Sequence, residues 1–274
     1  MKKDDLVSVI MPSYNAGKLL IGSIESILSQ THHNLELLIT DDASTDEVTI
    51  ELLHRYEQQD PRVQVEYLTQ NEGAGHARNC SIKRAKGRYI AFCDSDDRWT
   101  KDKLELQLAF MEEKDCALSC SSYIICNEEQ QVVGINIPPK VIDFKTMMRD
   151  NKIGCLTAIY DTQKLGKKFY MPLLRKRQDW ALFLSITKQC GICYAYTEKP
   201  LAYYDIRPNS ISRNKFKLIK YNVAVYHNIL GFNIIKSYLY FFFLFIPSYF
   251  AKVMKRKCDS KKFLASLKQH DTNN

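Results

Sequence analysis

The chain has 274 residues, of which 45% are hydrophobic and 26% are charged, as in an ordinary globular protein. This length suffices for one large α/β domain with an extension, or for two small domains. The formal net charge of +8 conceals an asymmetry, because residues 1–130 contain 14 Lys/Arg and 23 Asp/Glu, whereas residues 131–274 contain 25 and 8. The basic half therefore indicates an anionic partner.

The amino terminus and the cysteines indicate the compartment. The apolar run after Lys2-Lys3-Asp4-Asp5 is too short for the core of a secretory signal peptide, and acidic residues interrupt its basic start. The nine cysteines are an odd number, and several lie in apolar runs where a free thiol behaves as a small hydrophobe. Cys190 and Cys193 form a lone CxxC, which argues against zinc. We expect a reduced, cytoplasmic protein.

Short apolar strands alternate with amphipathic helices over the first 115 residues. The predicted strands cover 7–11, 35–39, 63–68 and 89–93, and the predicted helices lie near 19–28, 48–56 and 76–86. We expect Pro12 to end the first strand. Repeated strand–helix alternation predicts an α/β fold with a doubly wound, mostly parallel sheet, right-handed crossovers and helices on both faces.

After residue 115 the pattern is less regular. Extended segments are predicted at 117–126, 132–137, 192–197 and 201–204, with a helix at 179–187 and further helices from Phe216 onward. We therefore divide the chain into a domain over 1–213, with halves at 1–115 and 116–213, and a helical extension over 214–274.

A dense acidic cluster follows the fourth predicted strand. Asp94, Asp96 and Asp97 place three carboxylates within four residues at the end of an apolar run. Such crowding is unfavourable unless a hard divalent cation lies among the oxygens, and Mg²⁺ or Mn²⁺ is bound in this way. The alternative is a solvated acidic turn that caps the helix beginning near Thr100.

The other polar candidates also follow strand ends. Tyr14, Asp41 and Asp42 come after the first and second strands, as Asp94 and Asp96 come after the fourth. Ligands of open α/β sheets bind beyond the carboxyl ends of the strands. These side chains should therefore converge on one edge of the sheet.

The carboxyl-terminal extension is aromatic and then basic. Residues 237–251 contain eight Phe or Tyr side chains, and six Lys/Arg follow over 252–262. Fifteen residues are too few for a transmembrane helix, which needs about 20, and Pro247 should interrupt it. The pattern favours a segment lying in the interface of an anionic membrane. The alternative is a buried helix that completes the core.

Six motifs together resemble the family 2 glycosyltransferases, which share the GT-A fold. The resemblance covers roughly residues 5–213, and the motifs occur in the order and spacing of the family. They are Val7-Ser-Val-Ile-Met-Pro-Ser-Tyr-Asn15, Asp41-Asp-Ala-Ser-Thr-Asp46, Asn71-x-Gly73-x-x-x-Ala77-Arg78-Asn79, Asp94-Ser-Asp-Asp97, Gln178-Asp179-Trp180 and Tyr204-x-x-Arg207-x-x-Ser210-x-Ser212.

The resemblance implies a UDP-sugar donor and inversion of the anomeric carbon. Tyr14 should lie near the uracil ring, with Pro12 in the same donor-binding motif, and Asp42 should accept the uracil N–H. Asp94 should approach the ribose or a water on the metal, and Asp96 should ligate Mn²⁺ or Mg²⁺ directly. Asp41 should serve the hydrogen bonding of its own loop, and Asp97 either belongs to the metal site or caps the next helix.

Four further residues take roles from the resemblance. Arg78 should lie near the uracil or the acidic cluster, with a surface-helix arginine as the alternative. Asp179 matches the base that accepts the proton of the acceptor hydroxyl, with a helix-start Asp as the alternative. Trp180 should pack beside the acceptor or in the core. Arg207 should lie near the donor diphosphate, although Pro208-Asn209 stands where the family often has a histidine.

The resemblance further implies transfer of glucose, galactose or N-acetylglucosamine to a lipid-diphosphate-linked saccharide, as in bacterial O-antigen or capsule assembly. We expect a peripheral protein on the inner face of the cell membrane that binds no nucleic acid. One alternative is a nucleotide-dependent dehydrogenase, because Gly73-x-Gly75 precedes a helix, although Arg78 replaces the third glycine of that motif. The other is a non-enzymatic adaptor for membrane or nucleic acid, suggested by the basic second half.

Overall fold

The protein forms two β-sheets covered by helices. A computed structural model describes residues 5–172, 174–206 and 215–271. The strands are β1 Val7–Ser13, β2 Leu35–Asp41, β3 Val63–Tyr67, β4 Tyr89–Phe92, β5 Asp97–Trp99, β6 Leu118–Ser121, β7 Tyr123–Cys126, β8 Val132–Asn136, β9 Val141–Asp143, β10 Ile159–Asp161, β11 Ile192–Tyr196 and β12 Ala202–Asp205. The helices are α1 Leu19–Leu28, α2 Glu47–Gln59, α3 Ala74–Arg84, α4 Lys103–Glu113, α5 Phe144–Arg149, α6 Thr162–Leu165, α7 Gln178–Cys190, α8 Lys215–Ala224, α9 Ile234–Tyr240 and α10 Ile246–Asp271.

The first four strands form the parallel half of an eight-stranded sheet with the order β3-β2-β1-β4-β10-β6-β11-β9. β1 pairs in parallel with both β2 and β4, and β2 pairs in parallel with β3. Along β1, Val9 packs with α1 and α2 in one core cluster, whereas Ile10 packs with α3 in the other. Helices therefore cover both faces, and the doubly wound, mostly parallel sheet predicted from the sequence is confirmed.

The first strand does not end at Pro12 as predicted, because it continues to Ser13 in register with β2. Ile10 O accepts from Cys93 N–H on the β4 side, whereas Ser13 O accepts from Asp42 N–H on the β2 side. Alternation places the Pro12 nitrogen on the β4 side, and the register of β1 with β4 ends at Ile10 and Phe92. The missing N–H therefore ends the pairing with β4 but leaves the pairing with β2 intact to Ser13.

The second half of the sheet is mixed. β10 is antiparallel to β4 and β6, and β11 is parallel to β6 but antiparallel to β9. The single extended segment predicted over 117–126 is two strands that separate at Ser122: β6 stays in this sheet, and β7 joins a second sheet with the order β5-β12-β7-β8. Because β4 pairs with β10, the predicted halves 1–115 and 116–213 share one sheet.

Pro247 does not interrupt the extension, which is helical from Ile234 to Gln269. A π-helical turn over Phe241–Phe245 joins α9 to α10 directly before this proline. We attribute the continuity to this turn, since a proline in a helix removes one hydrogen bond and crowds the preceding turn, and i→i+5 bonding relaxes that constraint. By length and composition alone this helix could cross a membrane, and 17% of its apolar window is buried.

One face of the extension belongs to the core. Phe241 and Phe245 are buried, and the Phe245 ring lies 5.5 Å from the Trp180 ring. Further along α10, Ser260 Oγ accepts from Ile135 N–H at 3.0 Å and so fixes the helix to β8. The interpretation of a helix that completes the core is therefore correct for this face. The opposite face exposes large apolar side chains, and the membrane-interface interpretation stays a prediction.

Candidate active site

The carboxyl ends of β1, β2 and β4 bring the predicted donor-site residues to one edge of the large sheet. Asp41 and Asp42 lie at the end of β2 and are almost fully buried, whereas Tyr14 follows β1 with 49% of its surface exposed. An exposed aromatic ring at the edge of a buried sheet is suited to stacking against a flat ligand. Pro12 lies inside β1 beneath this edge.

The two adjacent aspartates fix different loops. Asp41 accepts from the backbone N–H of Ser44 at 2.8 Å and from Ser44 Oγ at 2.6 Å, so it serves its own loop, as expected. Asp42 accepts from Glu72 N–H at 2.8 Å and Gly73 N–H at 2.7 Å, one on each carboxylate oxygen. Asp42 therefore holds the glycine loop before α3, and each oxygen keeps a second lone pair for a ligand donor.

Gly73 and Gly75 serve helix packing. Gly73 adopts φ +93°, a conformation that favours glycine, at the residue before α3. A Cβ on Gly75 would lie 2.8 Å from Gln178 Nε2, so the start of α3 closely approaches the start of α7. Gly73 therefore allows the turn into α3, and Gly75 allows α3 to lie against the Gln178-Asp179-Trp180 motif.

The acidic cluster has the donors and the spacing of a cation site. One carboxylate oxygen from each of Asp94, Asp96 and Asp97 lies within 4.8 Å of the others. Burial, with smaller contributions from these three carboxylates, raises the pKa of the Cys93 thiol well above its usual range. Hard carboxylate oxygens in this arrangement fit Mg²⁺ or Mn²⁺.

Asp97 does not cap the next helix. It is the first residue of β5, and its backbone pairs with Tyr204 of β12. α4 begins only after Asp102, so β5 separates the acidic cluster from that helix. The interpretation of the cluster as a helix-capping turn is therefore wrong.

Arg78 connects the acidic cluster with Asp179. Its guanidinium is nearly buried and donates from Nη2 to Asp94 Oδ1 at 2.5 Å, so the alternative of a surface-helix arginine is wrong. Burial opposes the charge, but Asp94, with contributions from Cys155 and Asp179, raises the pKa of Arg78 above its usual range. The Nε atom is buried with no hydrogen-bond partner among the described residues. Arg78 therefore holds a permanent positive charge close to both carboxylates.

Asp179 lies in the first turn of α7, where its Oδ2 accepts from Asn151 Nδ2 at 2.8 Å. Two residues earlier, Arg177 adopts the left-handed conformation with φ +68°, which a non-glycine side chain rarely takes. Such local strain is often found at functional sites. Asn151 was not identified from the sequence, because nothing in a loop asparagine predicts contact with a residue 28 positions away.

Trp180 is wholly buried. Its Nε1 donates to Met147 O at 2.7 Å, and its ring packs against Tyr226 and Phe245. Of the two roles that the sequence left open, the structure favours the core over direct acceptor contact. The ring fixes the start of α7 and with it the position of Asp179.

Arg207 lies outside the described residues, as do Ser210 and Ser212. The described chain leads toward the acidic cluster, because β12 pairs with β5 and Arg98 Nη2 lies 3.1 Å from Asp205 Oδ1. The assignment of Arg207 to the donor diphosphate stays a prediction.

Comparison with known proteins gives the family. The family described as "Glycosyl transferase family 2" matches residues 8–169. The "Putative teichuronic acid biosynthesis glycosyltransferase TuaG" of Bacillus subtilis is 42% identical over 233 residues, which cover 85% of this chain and 91% of that protein. The "UDP-Glc:alpha-D-GlcNAc-diphosphoundecaprenol beta-1,3-glucosyltransferase WfgD" of Escherichia coli is 39% identical over 217 residues, covering 79% and 83%.

Solved structures agree on the fold. Residues 1–349 of S. aureus TarS in complex with UDP-GlcNAc superpose with a TM-score of 0.64 at 20% identity, covering 84% of this chain and 69% of that one. The GT-A fold expected from the sequence is confirmed, and the dehydrogenase and adaptor alternatives are wrong. The chain belongs to glycosyl transferase family 2 and is a glycosyltransferase.

Proposed function

We propose that this glycosyltransferase moves a hexose from a UDP-sugar to a hydroxyl of a lipid-diphosphate-linked saccharide, with inversion, in the assembly of a bacterial surface polysaccharide such as O-antigen or capsule. One observation supports the proposal: Arg78 donates to Asp94 Oδ1 of the acidic cluster, and both Asp94 and Asp179 raise its pKa. The printed names of two E. coli relatives describe transfer of glucose from UDP-glucose to a diphosphoundecaprenol-linked GlcNAc, which makes glucose the first donor to test.

On the donor side, Tyr14 would stack on the uracil and Asp42 would accept its N–H, with Pro12 beneath them and Arg207 at the diphosphate. Asp94 and Asp96 would hold the divalent cation, with Asp96 as the direct ligand. When bound, Mn²⁺ or Mg²⁺ would supply positive charge that stabilises the departing diphosphate. Arg78 would hold Asp94 in place through its short charge-assisted hydrogen bond.

On the acceptor side, Asp179 would accept the proton of the attacking hydroxyl. Asn151 Nδ2 holds one carboxylate oxygen, so the other can point to the acceptor in a fixed orientation. A single displacement by the acceptor oxygen inverts the anomeric carbon, so an α-linked UDP-hexose would give a β-linked product. Trp180 would support this step from the core by fixing the turn that carries Asp179.

The extension would attach the protein to the inner face of the cell membrane. Large exposed apolar side chains occur along α9, the π turn and the start of α10, and Phe243 is 72% exposed. They are Ile234, Ile235, Tyr238, Leu239, Phe242, Phe243, Phe250 and Met254. Lys/Arg follow them on α10, and an apolar face bordered by cations suits an anionic bilayer surface.

A donor panel tests the proposal. Purified protein is given UDP-glucose, UDP-galactose or UDP-N-acetylglucosamine, with and without GlcNAc diphosphate carrying an alkyl chain. We expect one donor to release UDP only when the acceptor is present, and the anomeric NMR coupling of the product to show a β linkage. UDP release that does not depend on the acceptor would indicate hydrolysis, and release from none of the three donors would contradict the UDP-hexose assignment.

A further inference from the structure

A small basic cavity lies outside the donor site, between α10 and the segment that follows β8. Its volume is about 170 Å³, smaller than the roughly 300–1,000 Å³ of pockets for drug-sized ligands. Four of its lining side chains are cationic, and no acidic side chain lines it among the residues that the structure describes. The four are Lys152, Lys252, Lys255 and Arg256, which we call the basic groove.

Carboxylates outside the lining of the basic groove bind three of its four cations. Asp150 is fully buried and accepts from Lys252 Nζ at 2.6 Å and from Lys152 Nζ at 2.8 Å. Lys255 Nζ donates to Asp259 Oδ2 at 2.7 Å. Four cations against these two carboxylates leave a surplus of two positive charges. A diphosphate that links a sugar to a lipid carries two negative charges, so its charge matches this surplus.

Lys252 is affected by burial and by the neighbouring cations. Burial lowers the pKa of Lys252, and the attraction of Asp150 does not offset burial together with the repulsion from Lys152 and Arg177. The Arg177 Nε atom is also buried with no hydrogen-bond partner among the residues described. An anion bound at the groove would relieve this repulsion, because it stabilises the charged form of each neighbouring cation.

One residue, Asn151, contacts both the groove and the candidate base Asp179. Lys252 Nζ donates to Asn151 O at 2.9 Å, while Asn151 Nδ2 donates to Asp179 Oδ2 at 2.8 Å. In a sugar diphosphate the phosphate is attached to the anomeric carbon, one sugar ring away from a ring hydroxyl. For Asp179 to act on such a hydroxyl, a sugar attached to a diphosphate in the groove would extend from Lys252 past Asn151. The same helix exposes Phe250 and Met254, which would face the lipid.

We propose that the basic groove binds the diphosphate of the acceptor, so that the sugar attached directly to the diphosphate receives the hexose. This inference rests on the proposed function. It adds where the acceptor diphosphate binds and which sugar of the acceptor receives the hexose. The groove would bind the diphosphate, and Asp179 would accept the proton from a hydroxyl of the first sugar.

The experiment compares two acceptors in detergent: GlcNAc diphosphate with an alkyl chain, and GlcNAc with the same chain attached directly at C1. The test variant is Lys255→Gln with Arg256→Gln, because both side chains are exposed. The control is Lys261→Gln with Lys262→Gln, which removes the same charge from the same helix outside the groove.

We expect the groove variant to raise KM for the diphosphate acceptor by roughly tenfold or more, since it loses charge-assisted contacts. KM for the UDP-sugar and kcat at saturating acceptor should stay near wild type, and the control variant should behave as wild type. The wild type should use the acceptor without diphosphate poorly, and the groove variant should change that weak activity little.

The outcomes separate the two proposals. A wild type that uses neither acceptor contradicts the proposed function and this inference with it. A wild type that uses both acceptors equally well, or a groove variant with unchanged acceptor KM, overturns the groove alone. If the groove variant loses binding to phosphatidylglycerol vesicles while its acceptor KM is unchanged, the groove binds phospholipid headgroups and the inference is wrong.

Discussion

At the carboxyl ends of β1, β2 and β4, polar side chains are fixed mainly by backbone N–H groups and neighbours in the same motif, as Asp41 is by Ser44 and Asp42 by Gly73. Around Asp179, polar side chains are fixed by side chains from separate elements, as Asn151 fixes Asp179 and Lys252 meets Asp150 across 102 residues. The donor side therefore depends on backbone geometry at the strand ends, and the acceptor side depends on side-chain contacts between separate elements, among them the extension.

The first prediction concerns the donor side, where one carboxylate should be indispensable. If Asp96 ligates the cation as proposed, Asp96→Asn should lower turnover by about 10³-fold or more, because it would remove a charge that holds the cation at the departing diphosphate. UDP release and the melting temperature are measured together, and the fold should be retained. Asp115→Asn, a change at an exposed aspartate, is the control. Full activity of the wild type in excess chelator would contradict this prediction.

On the acceptor side, stability should depend on the buried face of the extension. Phe245→Ala should lower the free energy of unfolding by about 3–5 kcal/mol, because Phe245 is buried against Trp180. Phe243→Ala should change it by less than about 0.5 kcal/mol, because Phe243 is mostly exposed. Urea denaturation measures both. Equal effects of the two substitutions would show that the extension does not belong to the core.

The exposed face of the extension should control membrane attachment. Replacing Phe242 and Phe243 together by Ser should weaken binding to anionic vesicles by about 100-fold, since each buried Phe contributes roughly 1.5–3 kcal/mol. The melting temperature should stay within a few degrees of wild type. High salt should also weaken binding of the intact protein, because it screens the Lys/Arg of α10. Unchanged co-sedimentation of the double variant would contradict the interfacial role.

A buried lysine on the donor side should make the free energy of unfolding depend on pH. Lys103 is fully buried, its Nζ donates to Gln107 Oε1 at 2.9 Å, and burial lowers its pKa to about 7. Between pH 7 and the ordinary lysine pKa, the unfolded chain binds more protons at this residue than the folded chain. The contribution of Lys103 to the free energy of unfolding should therefore rise with pH, by up to about 1.4 kcal/mol per unit.

Lys103→Met isolates this contribution, because it removes the charge but retains most of the volume. Urea denaturation at pH 7, 8 and 9 should show the wild type gaining stability relative to the variant as the pH rises. A constant difference between the two proteins across this range would show that Lys103 does not titrate there.

The sequence predicted the donor side well because its signals are local. Asp41 is the last residue of β2, and Tyr14, Asp42 and Asp94 follow a strand end by one or two residues, so an apolar run and a motif place them together. The edge strand β5 was missed because it has three residues and no apolar alternation. The extent of β1 was missed because only the pairing shows that the Pro12 nitrogen points away from β2, with which β1 stays paired to Ser13.

The acceptor side was harder to predict because its contacts join residues far apart. Asn151, Asp150 and Lys252 carry no motif, and only the packing of α10 brings them together. Pro247 was expected to break the helix, but a π turn before it accommodates the proline. The aromatic helix has one buried face and one exposed face. Because both faces are apolar, periodicity cannot show which of them is buried.

The difference between the donor and acceptor sides predicts that a substitution at Asp179 affects the rate of transfer but not the binding of the donor. Donor affinity measured by calorimetry and single-turnover rate, obtained on one preparation of Asp179→Asn, test this most directly. UDP-sugar affinity should change little, whereas the rate should fall by about 10²–10⁴-fold, because the amide cannot accept the acceptor proton. A variant that turns over at a near-normal rate, or one that loses donor affinity in proportion to its rate, would contradict the account.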